Sequence, residues 1–162
     1  MSNSLCAAAA LALLAVGASG CRAAGNDLPK DVRAVLDNAD RFELLSLDPT
    51  RQKEKPKDDF HGWKVLGKTE VKDAPTRKKV VAALYKGVAD SDGTVAACFN
   101  PRHGIRATHD GKTVELVICY ECLSMQCFLG ETRSGALTTR SPQKTFDQVL
   151  TAAKVPLPPK SE

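Results

Sequence analysis

The segment "IRATHDGKTVELVI", residues 105–118, constrains the fold more than any other part of the chain. It contains two runs of β-forming residues around Asp110-Gly111, a dipeptide that favours a two-residue type I′ hairpin turn. If these two residues form the turn, His109 faces Lys112, and Arg106 faces Glu115 as an opposite-charge pair. The other face of the hairpin is apolar and carries Ile105, Ala107, Val114, Leu116 and Ile118. Charge and hydrophobicity therefore predict the same antiparallel register.

The rest of the chain predicts helices and further strands around this hairpin. Two strands are expected at Phe42–Asp48 and Gly62–Val71, where apolar and β-branched residues are bounded by turn residues. Three helices are expected from their N-terminal signals, which are Asp27 with Pro29, Asp73 with Pro75, and Ser141 with Pro142. This order predicts an α+β fold: a mainly antiparallel sheet with a central Asp-Gly hairpin and helices packed on one face.

The N-terminal stretch from Leu5 to Val16 is uncharged and rich in Ala and Leu. A membrane-spanning helix needs about 20 apolar residues, so this shorter run is typical of a signal-peptide core. The residues that follow, Ala18-Ser19-Gly20-Cys21, resemble the lipobox of bacterial lipoproteins, in which a lipidated cysteine becomes the mature N-terminus. The resemblance implies a signal peptide over residues 1–20, a lipid on Cys21 and a tether over residues 21–30. A plain secretory signal that is cleaved nearby is the alternative.

Location and partners follow from the same resemblance. Arg22 stands where an Asp retains many lipoproteins in the inner membrane, which implies the periplasmic face of the outer membrane or the cell surface. The remainder is expected to form one domain over residues 31–154 and a proline-rich tail over residues 155–162. A net charge of +4, with basic and acidic residues mixed, does not predict nucleic-acid binding. The expected partners are the membrane, through the lipid, and an envelope protein or a small ligand.

Four cysteines remain when Cys6 leaves with the signal peptide and Cys21 carries the lipid. They are Cys98, Cys119, Cys122 and Cys127. Extending the hairpin register brings "CFNPRHG" beside "CYEC", so these cysteines are expected to form a cluster. An even number of cysteines outside the cytoplasm favours disulfides, and proximity favours Cys98 paired with Cys119 or Cys122. The cluster is therefore expected to be structural, with no catalytic residue and no cofactor.

Two other interpretations of the cluster stay open. Cys119 and Cys122 have the two-residue spacing of half a zinc site, which Cys98 with either Cys127 or His103 could complete. Cys119-x-x-Cys122 also follows an apolar strand, as the redox motif of a thiol–disulfide oxidoreductase does.

The segment "CFNPRHGIR" supplies further candidate residues. His103 and Arg102 are candidate accessory ligands or anion contacts, and a Ser/His/Asp catalytic set is not expected because no nucleophile accompanies His103. Together with "CYEC", this segment resembles a group of small, uncharacterised exported bacterial proteins, over roughly residues 42–130. That resemblance implies a shared motif and no activity. The sequence as a whole predicts a lipid-anchored envelope protein that acts as a binding or structural module.

Overall fold

The structure, a computed structural model, describes residues 27–52, 54 and 56–159. These residues form three helices and seven strands. In chain order the elements are α1 (Lys30–Asn38), β1 (Arg41–Leu47), β2 (Asp59–Phe60), β3 (Trp63–Glu70), α2 (Ala74–Ala89), β4 (His103–His109), β5 (Lys112–Cys119), β6 (Ser124–Leu129), β7 (Thr132–Leu137) and α3 (Gln143–Ala152). The expected signal peptide, Cys21, the first part of the tether and the last three residues of the tail lie outside the described residues. Within the described ranges, no helix combines the length and the apolar character needed to cross a membrane.

The seven strands form one sheet in the order β2-β3-β1-β4-β5-β6-β7. All neighbouring strands pair antiparallel, so the predicted combination of helices with a mainly antiparallel sheet is confirmed. In the pair of β4 with β5, Arg106 lies opposite Glu115 and His109 lies opposite Lys112. Asp110 and Gly111 between these strands have positive φ angles of 49° and 73°.

Two strands, β6 and β7, extend the sheet beyond the predicted hairpin. Their sequences carry only a short alternation: Met125 and Cys127 alternate with polar residues in β6, but Phe128 and Leu129 are adjacent apolar residues, and "TRSGAL" in β7 is mostly polar. The signal that marks this second hairpin is Gly130, which takes a positive φ of 57° where β6 ends.

Buried residues gather into two clusters that share β1. Every residue of β1 except Arg41 is buried, because Phe42 and Leu44 join one cluster while Leu45 and Leu47 join the other. The larger cluster also contains residues from all three helices, which are Val32, Val35, Leu36, Val80, Val81, Leu84, Val88, Phe146 and Leu150. The smaller cluster adds Phe60, Trp63 and Val117. Successive residues of a strand point to opposite faces, so the two clusters lie on opposite sides of β1.

Of the two aspartates expected to cap helices α1 and α2, only one does so. Asp73 caps α2 as expected, because its carboxylate accepts a hydrogen bond from the Thr76 N–H at 2.8 Å. Asp27 does not cap α1, which begins after Pro29. The Asp27 carboxylate instead accepts hydrogen bonds from the Leu28 N–H and from the Arg33 guanidinium.

Candidate functional site

The cysteines of "CYEC" lie where β5 ends and the chain turns into β6. Cys119 is the last residue of β5 and pairs with Ser124, the first residue of β6. Cys119 and Cys122 are joined by a disulfide with an S–S distance of 2.07 Å. Both residues are 0% exposed, and the Cys122 N–H donates to Cys119 Sγ at 3.1 Å. The bridge therefore closes this turn from inside the protein.

Cys98 contacts the bridge without belonging to it. Its Sγ lies 3.5 Å from Cys122 Sγ, and the residue is exposed. The loop that carries it is held against the turn, because the Ala96 N–H donates to the Cys122 carbonyl at 3.2 Å and the Asn100 N–H points at Cys122 Sγ, 3.4 Å away. The pairing thus differs from the one that proximity favours in the sequence. The three-residue separation lets the turn itself join Cys119 to Cys122, and Cys98 remains a thiol in contact with them.

Cys127 is separated from the other three cysteines. It pairs across the sheet with Leu116, and Leu116 and Cys119 are three residues apart on β5, so their side chains lie on opposite faces. Burial raises the pKa of the Cys127 thiol to about 12, against the opposing effect of a hydrogen bond with Ser134. The expected four-cysteine cluster is therefore a three-cysteine cluster in the structure, and Cys127 is a buried, protonated core residue.

The arrangement of the clustered cysteines does not favour zinc binding. Zinc binds thiolates, and two of the three clustered sulfurs are joined to each other. In the part of the chain that the structure describes, no three His, Cys, Asp or Glu side chains are grouped so that they could hold a metal ion.

His103 is buried in the core on the other face of the sheet. It pairs with Ile118 and so lies on the face opposite Cys119. It is 0% exposed, and its Nε2 lies 2.8 Å from Asp147 Oδ1 in α3. Its ring packs edge-on against Phe146. One imidazole nitrogen, Nε2, is therefore paired within the core, and the ring is directed away from the cysteines.

The two arginines that could bind an anion are paired with carboxylates of the chain. Arg102 forms a salt bridge with Glu121, and its Nε donates to the Pro159 carbonyl at 3.0 Å. Arg106 donates to Glu115 at 2.6 Å and lies 3.4 Å from Glu43. These partners neutralise the positive charge that a bound anion would need.

The motif "CYEC" contacts "CFNPRHGIR" through three pairs: Tyr120 with His103, Glu121 with Arg102, and Cys122 with Asn100. Tyr120 is buried with its ring edge-on to Phe146, and burial, followed by the charge of Asp147, raises the pKa of Tyr120 well above its usual value. Glu121 faces the other way and pairs with Arg102. In the second motif, Phe99 packs against Trp63 with ring centroids 6.3 Å apart. The two motifs thus form one unit. We call it the cysteine turn and define it as residues 119–122 together with Cys98, Asn100 and Arg102.

The sequence contains two site residues that its motifs did not indicate. Asp147 stands in α3 next to Phe146, and only the fold brings it to His103. Ser46 pairs directly with His103 across β1 and β4. Among the described residues, neither Ser46 Oγ nor His103 Nδ1 has a hydrogen-bond partner, and both residues are 0% exposed. Because both are shielded from solvent, a substrate has no route to this serine.

No family model, curated protein or solved structure matches this chain.

Proposed function

We propose that the chain is an exported protein, anchored to the outer membrane or the cell surface by a lipid on Cys21, and that its folded domain is a binding module with a structural cysteine turn. The membrane and an envelope protein are the proposed partners. The anchor rests on the sequence, in which Ala18-Ser19-Gly20-Cys21 follows a short apolar stretch. A tether that begins at Cys21 and meets α1 at Lys30 spans at most about 30 Å, so the domain is held near its membrane.

The burial of the Cys119–Cys122 bridge carries the structural role. Both residues are 0% exposed and lie under a loop that donates hydrogen bonds to Cys122. The same turn places Tyr120 in the core and Glu121 against Arg102. A bridge in this position holds β5, β6 and the loop before β4 together.

The proposal includes a finer description of the fold. We propose that the three helices cover one face of the sheet and that Asp110-Gly111 forms a tight hairpin turn. The buried hydrophobic residues of the helices all belong to one cluster, and the strands at the turn are in register up to His109 and Lys112. On the opposite face, His61 stacks on Phe128 with ring centroids 3.7 Å apart, and the Arg133 guanidinium lies 5.5 Å from the Phe128 ring.

These three residues, His61, Phe128 and Arg133, form the surface that we propose for partner binding and that we call the outer patch. His61 and Arg133 are exposed and Phe128 is partly exposed. Aromatic and arginine side chains are enriched among the residues that carry binding energy at protein interfaces. The His61 ring is also held in place by Glu115, whose Oε2 lies 2.7 Å from His61 Nε2. A fixed aromatic stack beside a guanidinium suits a protein partner better than a membrane surface.

The anchor is tested in the full-length chain, expressed in a bacterium with two membranes. The wild-type protein is expected to incorporate labelled fatty acid and to sediment with membranes, and Cys21→Ala is expected to do neither. Cys6→Ala is the matched control, because this cysteine lies in the expected signal peptide. Unlabelled wild-type protein in the soluble fraction would reject the lipid anchor.

Binding is tested by crosslinking the anchored protein in whole cells. A specific partner is expected to be lost in Phe128→Ala and in Arg133→Ala, while Lys79→Ala on α2 keeps it. Equal crosslinking by all of these variants would reject the outer patch as the binding surface.

A further inference from the structure

We infer that the bridge of the cysteine turn is exchangeable, and that Cys98 is the thiol that opens it: Cys98 attacks Cys122, forms a Cys98–Cys122 disulfide and releases Cys119. This goes beyond the proposed function, since a binding module with a structural bridge requires no exchange. It also differs from a redox motif that acts through the Cys119-x-x-Cys122 pair alone.

The contact between the two sulfurs carries the inference. Cys98 Sγ is 3.5 Å from Cys122 Sγ, and reacting atoms in a productive complex lie about 3–3.5 Å apart. Backbone hydrogen bonds hold the two residues in this arrangement, from Ala96 N–H to the Cys122 carbonyl and from Asn100 N–H towards Cys122 Sγ. The nucleophile is thus positioned on one sulfur of the bridge before any reaction.

The surroundings of Cys119 suit a leaving thiol. The Cys122 N–H points at Cys119 Sγ from 3.1 Å and would stabilise a thiolate there. The carbonyl oxygen of Asn100 lies 3.4 Å from the same sulfur. In the bridge this sulfur has no hydrogen to donate, but once Cys119 is released and protonated, its S–H can donate to that carbonyl. Both protonation states of the product therefore have a partner in place.

The exposure of each cysteine determines which sulfur an external thiol can attack. Cys119 and Cys122 are 0% exposed, whereas Cys98 is exposed. A small thiol therefore cannot reach the bridge in the resting form. After the exchange, one sulfur of the new bridge belongs to the exposed residue, where an external thiolate can attack it. The chemical class of the reacting partner is a thiol, and reduced glutathione is the probe.

The reaction balances without an added oxidant in its first step. The Cys98 thiolate forms the Cys98–Cys122 bond as the Cys119–Cys122 bond breaks, and the proton that Cys98 lost is taken up by Cys119. A glutathione thiolate then attacks Cys98, forming a mixed disulfide and releasing the Cys122 thiol. A second glutathione resolves the mixed disulfide, so two thiols are oxidised to glutathione disulfide as the protein bridge is reduced.

Tryptic mapping distinguishes the two bridges. Cys98 falls in the tryptic peptide 87–102, and Cys119 and Cys122 fall together in the peptide 113–133. After alkylation, a Cys98–Cys122 bridge links the two peptides, whereas a Cys119–Cys122 bridge stays within one. The full chain is used in a Cys127→Ala background, which removes the third cysteine from peptide 113–133.

In this background, Cys119→Ser is expected to give complete linkage of the two peptides and no alkylated cysteine in them. Cys122→Ser is expected to leave both Cys98 and Cys119 alkylated. Two alkylated cysteines in the Cys119→Ser protein, or complete linkage in the Cys122→Ser protein, would overturn the assignment of Cys122 as the target.

A rate measurement keeps the test valid if the trapping variants fail to fold. Cys98→Ser retains the Cys119–Cys122 bridge and removes only the Cys98 thiol, which starts the exchange. Reduction of the bridge by glutathione is expected to slow by about tenfold or more in this variant, because the attack loses its positioned nucleophile. Cys127→Ala is the matched control and is expected to react at the wild-type rate. Equal rates for Cys98→Ser and the wild type would overturn the role of Cys98.

Discussion

The imidazole of His103, fully buried at the start of β4, lies 2.8 Å from the carboxylate of Asp147 in α3. Tyr120 packs against both His103 and Phe146, with ring centroids 5.2 Å and 5.5 Å away. The contact between His103 and Asp147 therefore joins α3 to the sheet next to Tyr120 of the cysteine turn. The middle of "CYEC" and the middle of "CFNPRHGIR" are fixed by the same helix.

Asp147→Ala is expected to lower the free energy of unfolding by about 1–3 kcal/mol, because a buried imidazole nitrogen loses its partner. Gln148→Ala is the matched control, since this neighbour on α3 is exposed, and its effect is expected to stay within about 0.5 kcal/mol. Urea denaturation measures both values. Equal effects of the two variants would show that the contact does not hold α3 to the sheet.

The sequence predicts the centre of the sheet well, because the pattern there is local. Arg106 and Glu115 supply opposite charges at facing positions, and the apolar residues on the other side of the hairpin require the same register. Local information is weaker at β6 and β7: the alternation in β6 ends at Cys127, β7 is mostly polar, and the two strands are placed in the sheet by the pairing of β6 with β5 and of β7 with β6.

The site could be predicted only in part, and the reason is spatial. The hairpin register brings "CFNPRHG" beside "CYEC", but it does not determine which of the neighbouring cysteines form the disulfide. The turn after β5 decides the pairing, because it brings Cys122 back to Cys119. Cys127 looks equivalent in sequence, yet its position on β6 puts it on the opposite face from Cys119. Asp147 has no sequence signal that links it to His103, because 44 residues separate them.

Gly104→Ala is expected to destabilise the protein by about 1–3 kcal/mol through overpacking. A Cβ at this position would lie 2.8 Å from Phe60 Cε1 and 3.3 Å from the Leu116 carbonyl oxygen, and Phe60 is itself buried. Gly135→Ala in β7 is the matched control, because a Cβ there meets only the Met125 carbonyl oxygen at 3.4 Å. Thermal unfolding of both variants tests the prediction, which fails if Gly104→Ala melts with Gly135→Ala.

Glu43→Gln is expected to destabilise the protein at neutral pH and to lose its effect in acid. Burial alone would raise the pKa of Glu43, but the hydrogen bond from Lys68 and the charges of Lys68, Arg41 and Arg106 outweigh it and hold the pKa below its usual 4.5. A carboxylate with a lowered folded-state pKa stabilises the protein above its unfolded-state pKa. That stabilisation is lost as the pH falls from 4.5, the usual pKa of the group, through the lower folded-state value.

The measurement is urea denaturation of the wild type and Glu43→Gln from pH 7 to pH 3. The difference between them is expected to be about 1–3 kcal/mol at pH 7, from hydrogen bonds to a charged group, and to shrink below pH 4.5. Glu131→Gln, an exposed residue that follows β6, is the control for a general charge effect. A difference that is constant over this range would contradict the charged network around Glu43.

Reduction of the bridge is expected to lower the free energy of unfolding by an amount that identifies the pairing. A bridge stabilises by limiting the unfolded chain, and the effect grows with the length of the closed loop. Closing residues 119–122 is worth about 2 kcal/mol, whereas closing residues 98–122 would be worth about 3.5 kcal/mol. Denaturation of the full chain with and without a phosphine reductant measures the loss, and a protein carrying both Cys119→Ala and Cys122→Ala should not respond to the reductant. A loss near the smaller value supports Cys119–Cys122 as the resting bridge. A loss near the larger value would mean that the protein rests with Cys98 joined to Cys122.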